Sequence, residues 1–286
     1  MKHGFLLIDK PIGPTSHDVV DMVRKNLHEA KAGHLGTLDP FASGLLVVAV
    51  GAKALKVIEF FNELHKEYEA IVKFGSVSTT YDSTGVIEEV PMKPGVSQPD
   101  LLQLRTIIHD RFTGSVEQIP PPYSAVHIGG QRAYMLARKG VAVNIPSRTV
   151  EISSCDIVSY EYPTLTLKVA CGSGTYIRSL AHDLGQLMHT AAYLDCLRRT
   201  KVGEWKIEDA KLPKDIDWTD VIPLKEVMKS FPSIELDDAQ SADIKLGKKI
   251  PLEIKPDTVA WNEGLPIAIL VPSKDGSRTA HARKVL

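Results

Sequence analysis

The stretch GHLGTLDPFASGLLVVAV, from Gly33 to Val50, joins a loop of glycines and small residues to an apolar run. The uninterrupted aliphatic run Leu45 to Val50 predicts a strand buried on both faces. One acidic residue, Asp39, lies in the loop before it. Asp followed by Pro is typical of a helix N-cap, but only residues 40–43 separate Asp39 from Gly44, enough for about one turn. The alternative is that the loop presents a carboxylate at a strand end, where small neighbours let a bulky substrate approach.

A carboxylate that has to stay ionised in a partly dry pocket needs a nearby cation, because desolvation favours the neutral acid. We expect Arg178 to be that cation, although an arginine on a solvated surface is the alternative. Arg178 follows a strand predicted at TLTLKVACG, residues 164–172, and lies in the first turn of a helix that begins near Thr175. The helix dipole mildly disfavours a cation at this end, so Arg178 is expected to have an anionic partner elsewhere.

The periodicity along the chain predicts a mixture of strands and helices without regular βαβ alternation. In KEYEAIVKFG, residues 66–75, Tyr68 heads a row of apolar side chains that share one strand face. This mixture predicts the α+β class with a largely antiparallel sheet. The other predicted elements are a strand at residues 4–8, helices at 15–27, 52–61 and 99–112, and a hairpin with a loop at 81–99.

Composition sets the scale of the protein and the classes of site to expect. The chain has 286 residues, 43% of them hydrophobic, and a formal net charge of −1, and this length predicts one large domain with a small appendage. Short strand-like pieces after Ser233, KKIPLEI and LPIAILV, predict that the appendage is all-β and occupies 231–286, which leaves 1–230 for the large domain. Three scattered cysteines and ten histidines without ligand spacing predict neither a disulfide framework nor a metal site. No apolar run approaches the ~18 residues of a membrane span, and a charge and a proline interrupt the N-terminus, so we expect a cytoplasmic protein without a membrane partner.

Local charge is more informative than the whole-chain balance. From Gln118 to Val150 the sequence contains no Asp or Glu, while basic and aromatic residues alternate. A solvated basic face is one interpretation, and a nucleic-acid surface is the other, because cations bind phosphates and rings stack on bases. The candidate RNA-binding residues are Arg132, Arg138, Lys139 and Arg148 in this stretch, and Arg198 and Arg199 in the later cluster LRRTK.

These residues match a known family. GHLGTLDPFASG resembles the central motif of the TruB branch of pseudouridine synthases. Four further stretches resemble the family in the same order: DKPIGPTSHDVVDMVR, KEYEA, PPPYSAVHIGGQRAYMLARKG, and CGSGTYIRSLAHDLG followed by YLDCLRRT. The resemblance covers most of residues 4–205, and a weaker one relates the tail to a shortened PUA domain. It implies a pseudouridine synthase sheet flanked by helices, with an insertion at about residues 115–148 that clasps the T-loop arm of tRNA.

The resemblance also implies an activity. The family members are cofactor-free isomerases, here of the uridine numbered 55 in the tRNA T-loop, and the residue types agree because the reaction needs one carboxylate and no metal. By matching motif positions, Asp39 is the catalytic nucleophile and Arg178 its partner. Tyr68 packs on the target base, His34 lies beside the flipped nucleotide, and Leu197 walls the uracil pocket. Tyr176 is assigned to the same substrate site. Attack of Asp39 on C1′, attack on C6 and abstraction of a ribose proton all stay open.

Three other functions are consistent with parts of the sequence. The same fold serves as the catalytic subunit of a guide-RNA particle, although those relatives are longer. An RNA-binding or RNA-folding protein with secondary catalysis needs the basic surface but not Asp39, Tyr68 and Arg178 together. An aspartate-dependent hydrolase usually needs paired carboxylates, and we identify no second loop acid placed like Asp39. We expect a stand-alone, monomeric enzyme that binds the T-stem-loop of tRNA.

Overall fold

The computed structural model describes residues 3–92, 94–95, 97–141, 144–273 and 277–286. Positions 142 and 143 of the expected insertion lie outside this description, as do residues 1–2, 93 and 96 of the expected large domain and 274–276 of the appendage.

The strands of the described residues form one large sheet and three small sheets. In chain order they are β1 (Gly4–Lys10), β2 (Ala32–Leu35), β3 (Ser43–Val50), β4 (Lys66–Phe74), β5 (Ser76–Ser78), β6 (Ile87–Glu89), β7 (Gly114–Gln118), β8 (His127–Ile128), β9 (Gln131–Arg132), β10 (Arg148–Glu161), β11 (Thr164–Cys171), β12 (Ala192–Val202), β13 (Trp205–Lys206), β14 (Ile222–Pro223), β15 (Ser233–Glu235), β16 (Thr258–Asn262), β17 (Leu265–Pro272) and β18 (Ala280–Val285).

The helices are mostly short and connect these strands. They are α1 (Ser16–Leu27), α2 (Ala52–Val57), α3 (Leu101–Arg111), α4 (Ala133–Arg138), α5 (Ile177–Leu187), α6 (Leu224–Val227) and α7 (Asp238–Lys245), with 3₁₀ turns at Ile58–Phe61, Ile207–Asp209 and Met228–Ser230.

The large sheet has ten strands in the main order β14-β1-β3-β12-β4-β11-β10-β7, with β2 added to β3 and β13 to β12. Its pairs are antiparallel except where β12 runs parallel to β3. The predicted α+β class with a largely antiparallel sheet is therefore confirmed. The parallel contact needs a close approach: a Cβ on Gly44 would lie 2.3 Å from the carbonyl oxygen of Arg199, so only glycine fits there.

Both faces of the central strands are buried, as the aliphatic run predicts. Leu46, Val48 and Val50 of β3 join the core that α1, α3 and α5 cover. The alternate residues Leu45, Val47 and Ala49 join a second core with α2, α6 and part of the C-terminal sheet. Every side chain from Leu45 to Val50 has 0% exposure.

Local signals explain the helices that frame the site. Helix α1 begins with a capping box in which the Thr15 hydroxyl accepts from the Asp18 amide and the Asp18 carboxylate accepts from the Thr15 amide. Its buried residues include Val19, Val20 and Leu27, as predicted. Strand β4 likewise buries Tyr68 and the alternate positions that follow it.

The C-terminal segment differs from the all-β expectation. Strands β15 to β18 form a sheet of their own, but α7 lies between β15 and β16. The Asp237 side chain accepts from the Gln240 amide and closes a capping box, and Ser241 and Ile244 are buried. The short polar sequence DDAQSADIK has little hydrophobic periodicity, which is why the helix was missed.

The expected insertion at 115–148 is shorter in the structure. Gly114–Gln118 is the edge strand β7 of the large sheet and pairs with β10, which begins at Arg148. The described residues between these strands form the hairpin β8–β9 and the short helix α4. In the described part of the chain, no helix combines the length and apolar character needed to cross a bilayer.

Candidate active site

The loop that carries Asp39 is a tight turn, not the start of a helix. The Asp39 carbonyl accepts from the amide of Ala42 at 3.1 Å, and strand β3 begins at Ser43. The N-cap alternative is therefore wrong, because no helix follows Asp39. The Asp39 side chain retains 37% exposure, so the loop presents its carboxylate toward solvent.

Lys10, at the end of β1, holds this turn by hydrogen bonds to its backbone carbonyls. Its side chain is fully buried, and Nζ donates to the carbonyl oxygens of Pro11 at 2.9 Å and Ala42 at 2.7 Å, with Pro40 O at 3.4 Å. Burial lowers the pKa of Lys10 to about 8, while the negative charge of Asp39 raises it in part. The motif DKPIGPTS thus supplies an ammonium that orients the loop backbone.

Arg178 brings three segments of the chain together at Asp39. It is 4% exposed, and its Nε lies 3.0 Å from Asp39 Oδ2. Nη1 donates to the carbonyl of Thr80 and Nη2 to that of Tyr123, each at 3.1 Å. A planar guanidinium with several fixed donors orients a partner more tightly than an ammonium does. The anionic partner expected for Arg178 is therefore Asp39.

A second carboxylate, Asp82, completes this arrangement and was not identified from the sequence as a site residue. It is 3% exposed, and its Oδ2 lies 3.4 Å from Arg178 Nη1. Its other oxygen accepts from Thr80 Oγ1 at 2.7 Å and from the Thr84 amide at 2.9 Å. From the sequence, Asp82 is predicted only as a turn residue, and its backbone does lie in a turn. No local signal in the sequence indicates its ion pair with Arg178.

The two carboxylates and the arginine set the charge balance of the site. Burial is the largest influence on Asp39 and raises its pKa above 3.8; Arg178 lowers it, and Asp82 raises it further. The part of the Asp39 side chain that stays exposed lets solvent moderate the effect of burial. The arrangement holds an ionisable carboxylate beside a permanent cation, as nucleophilic or basic catalysis requires.

Tyr68 and Leu197 lie on the paired central strands β4 and β12. Both are 8% exposed and belong to the same core cluster as Leu38 and Ala42, which flank Asp39. Leu197 of β12 pairs with Ala70 of β4. Burial raises the pKa of the Tyr68 hydroxyl above 10.0, with Arg199 opposing, so Tyr68 is neutral at ordinary pH.

Arg199 is not a surface cation, contrary to our expectation. It is 1% exposed, and its Nε donates to Leu45 O at 2.7 Å while Nη2 donates to Gly36 O at 3.1 Å. Because β12 pairs in parallel with β3, the Arg199 side chain lies against the backbone on both sides of the Asp39 loop. A phosphate could not reach it in this conformation.

His34 lies on β2, with its ring 5.2 Å from the ring of His17 in an edge-to-face arrangement. Burial, together with the charges of His17 and Arg199, lowers the pKa of His34 to about 4, so its imidazole is neutral at pH 7. Its Nδ1 is buried without a hydrogen-bond partner among the residues described. Among the described residues, no hydrogen bond or ion pair joins His34 to Asp39.

Tyr176 precedes α5 and is fixed by the edge strand β7. Its amide donates to Gln118 Oε1 at 2.8 Å, and Gln118 Nε2 donates back to its carbonyl at 3.0 Å. The ring centroid lies 5.0 Å from the guanidinium carbon of Arg148 and 6.0 Å from that of Arg178. The Tyr176 ring therefore lies near both a candidate RNA-binding arginine and the arginine that pairs with Asp39.

The remaining candidate RNA-binding residues differ in whether their charged groups already have partners within the protein. Arg132, Arg138 and Lys139 are exposed on the segment between β7 and β10, and the Arg138 guanidinium lies 5.5 Å from the Tyr134 ring centroid. Arg148 also donates to the carbonyl of Gly174. Arg198 forms a two-bond ion pair with Asp9, at 3.0 and 2.8 Å, so its charge is already partnered.

Comparison with solved structures supports the fold. One chain of a Cbf5-Nop10-Gar1 complex superposes with a TM-score of 0.71 over 99% of this chain and 84% of its own length, at 24% identity. An H/ACA RNP bound to a substrate RNA gives a TM-score of 0.69 at 22% identity, covering 99% of this chain and 84% of that one. At these identities the likeness concerns the fold alone.

Sequence comparisons reach further. Residues 24–177 match the family described as "TruB family pseudouridylate synthase (N terminal domain)". The tRNA pseudouridine synthase B of Trichormus variabilis is 38% identical over 261 residues, which is 88% of this chain and 87% of that protein. The protein of the same name from Syntrophomonas wolfei is 41% identical over 261 residues, 87% of this chain and 85% of that protein. The chain therefore belongs to the TruB family of pseudouridylate synthases, which are isomerases.

Proposed function

We propose that this protein is a stand-alone tRNA pseudouridine synthase that isomerises the T-loop uridine at position 55, with Asp39 as its catalytic carboxylate. The observation that carries the proposal is the Asp39–Arg178 ion pair of 3.0 Å. Its loop and arginine both lie in stretches that resemble the family motifs. The relatives named tRNA pseudouridine synthase B, aligned over most of this chain, support tRNA as the substrate.

The reaction asks little of the protein beyond this geometry. The N1–C1′ bond of the nucleotide breaks, the uracil turns, and a C5–C1′ bond forms. The proton on C5 leaves and N1 gains one, so there is no net redox change and no group is transferred. A carboxylate serves each of the open routes: attack on C1′, attack on C6, or removal of a ribose proton.

The target nucleotide has to leave its stack before this chemistry, at a cost of a few kcal/mol. Tyr68 is proposed to pack on the flipped base, and His34 to fill the space that the nucleotide leaves in the loop. Each aromatic contact would offset about 1–3 kcal/mol of that cost. Leu197 supplies an apolar wall, and Tyr176 is proposed to lie against the substrate between Arg148 and Arg178.

RNA binding is proposed for the exposed cations of the segment between β7 and β10. Arg132, Arg138 and Lys139 have no carboxylate neighbour in that stretch of sequence, and structured RNA is recognised largely through phosphates, shape and unstacked bases. Arg148 and Arg198 are proposed to contribute at its edges. We also propose residues 1–230 as the catalytic domain and 231–286 as a PUA-like RNA-binding appendage, in a cytoplasmic monomer.

The test is pseudouridine mapping on an unmodified T-stem-loop transcript, without guide RNA. Wild type, Asp39→Asn and the control Asp21→Asn, an exposed helix carboxylate, are compared at enzyme excess. We expect one product at the T-loop uridine with wild type and the control, and none with Asp39→Asn, which should still bind the RNA. No product from wild type that binds tightly would favour a guide-dependent or RNA-folding function, and full activity of Asp39→Asn would remove Asp39 from catalysis.

A further inference from the structure

Two aromatic rings outside the proposed substrate contacts stack almost perfectly in parallel. The ring of Tyr81 lies over the imidazole of His182, with centroids 3.8 Å apart and planes inclined by 5°. Both side chains are half-buried. Neither ring is among the residues grouped around Asp39, but Tyr81 directly precedes Asp82, and His182 follows Arg178 by four residues on α5.

Tyr81 belongs to the turn that presents Asp82, which we call the Asp82 turn, residues 78–85. Its neighbour Thr80 offers the carbonyl that accepts from Arg178, and Asp82 supplies the second carboxylate. Tyr81 adopts a positive φ of 64°, a conformation that a bulky residue rarely holds unless its surroundings impose it. The stack is one such constraint, and the hydrogen bond from the Leu194 amide to Tyr81 O, at 3.0 Å, is another.

His182 is on α5, four residues after Arg178. Residues four apart lie on the same side of a helix, so α5 contacts the Asp82 turn at two points that are about one helical turn apart. The guanidinium of Arg178 meets the turn through Thr80 O and Asp82, and the imidazole of His182 meets it through Tyr81. Movement of the turn along α5 would therefore have to break the stack.

We propose that Tyr81 and His182 are a positioning pair: their stack holds the Asp82 turn against α5 and so fixes the orientation in which Arg178 presents Asp39 to the substrate. This inference rests on the proposed function for its catalytic consequence. Its structural consequence, retention of the turn, does not.

The chemistry required of His182 is that of a flat neutral ring. Burial lowers its pKa, which favours the uncharged imidazole, and its Nδ1 is buried with no hydrogen-bond partner among the described residues. Burial raises the pKa of Tyr81, and the nearby charge of Asp183 raises it further. A phenyl ring should therefore replace the imidazole without loss, whereas a methyl group should not.

The experiment compares His182→Ala, His182→Phe and the control Gln186→Ala, an exposed residue on the same helix. Single-turnover isomerisation of the T-stem-loop transcript gives the rate, titration of the same RNA gives Kd, and amide hydrogen exchange at Leu194 reports whether the turn stays docked. We expect His182→Ala to lower the rate about tenfold or more, since small displacements of catalytic groups have effects of that order, with Kd unchanged and Leu194 exchange accelerated. His182→Phe should restore both to within about twofold of wild type.

The outcomes separate cleanly. Unchanged Leu194 exchange in His182→Ala overturns the positioning pair whatever the activity, and so does equal damage in His182→Phe, because it would assign the effect to the imidazole nitrogens. A rate loss accompanied by an equal loss of RNA affinity and a lowered Tm indicates general destabilisation and also overturns it. Absence of product from wild type contradicts the proposed function alone, because hydrogen exchange still tests the pair.

Discussion

Nε of Arg178 lies 3.0 Å from Oδ2 of Asp39, and the arginine that makes this contact is itself only 4% exposed. The same guanidinium donates to two carbonyls from different segments. These two hydrogen bonds restrict rotation of the Arg178 guanidinium. Asp39 is therefore paired with a cation whose orientation is fixed by the backbone. The shape of the guanidinium matters here as much as its charge.

This relationship predicts that Arg178→Lys is not a conservative change. Lysine keeps the positive charge but has no planar array of donors to hold Asp39, Thr80 O and Tyr123 O together. We expect the single-turnover rate to fall about a hundredfold, because a misplacement of catalytic groups by about 1 Å has an effect of that order, with Kd for the T-stem-loop little changed. Arg105→Lys, at an exposed position on α3, is the control. A rate within a few-fold of wild type would mean that charge alone suffices.

The pH dependence follows from the carboxylate pair. Burial raises the pKa of Asp39 above 3.8, and Asp82 raises it further. Under the proposed function the ionised carboxylate is the active form, so the single-turnover rate should rise with pH through an apparent pKa above that of an ordinary aspartate. Asp82→Asn removes one neighbouring negative charge, so this acidic limb should move to lower pH even if the plateau rate also drops. A limb that stays in place or moves to higher pH would contradict the assignment.

Lys10 predicts an effect on the loop that presents Asp39. In Lys10→Met the stem of the side chain is kept, but the carbonyls of Pro11 and Ala42 lose their donor, and each unpaired buried group costs about 1–3 kcal/mol. We expect a lower Tm and a rate reduced about tenfold through displacement of the loop. Lys25→Met, on the exposed side of α1, should change neither. Thermal melts and single-turnover rates check both quantities.

The central elements were predictable because burial leaves a pattern in the sequence. The aliphatic run of β3, the alternation in β4 and the helical spacing in α5 all appear where expected. Asp39 and Arg178 were also predictable as partners, since a loop carboxylate and a helix-start arginine each lacked a local counterion.

What the sequence did not reveal depends on distant pairing. Arg199 is buried because β12 runs parallel beside β3, and no local pattern in LRRTK distinguishes it from the half-exposed Arg198. Asp82 joins Asp39 only because its turn docks on α5. Helix α7 depends on its cap and a few buried side chains rather than on a periodic apolar face.

Tyr68 predicts a difference between its ring and its hydroxyl. Tyr68→Leu removes the aromatic surface proposed to pack on the base, worth about 1–3 kcal/mol, and should lower the single-turnover rate accordingly. Tyr68→Phe keeps the ring in the same buried position on β4 and should retain most of the rate. Equal losses in both variants would assign the function to the hydroxyl, which lies near Arg199. Melting curves establish that both variants fold.

The last prediction concerns the salt dependence of RNA binding. Arg132 and Arg138 are exposed on the segment between β7 and β10, far along the chain from the Asp39 loop. If each contacts a phosphate, its change to alanine should reduce the slope of log Kd against log salt by about 0.7–0.9, because fewer counterions are released. The single-turnover rate at saturating enzyme should stay near the wild-type value, since neither side chain has a described hydrogen bond or ion pair with Asp39, Arg178 or Asp82. Arg105→Ala, exposed on α3, is the control. Unchanged affinity and slope in both variants would place the RNA on another face of the protein.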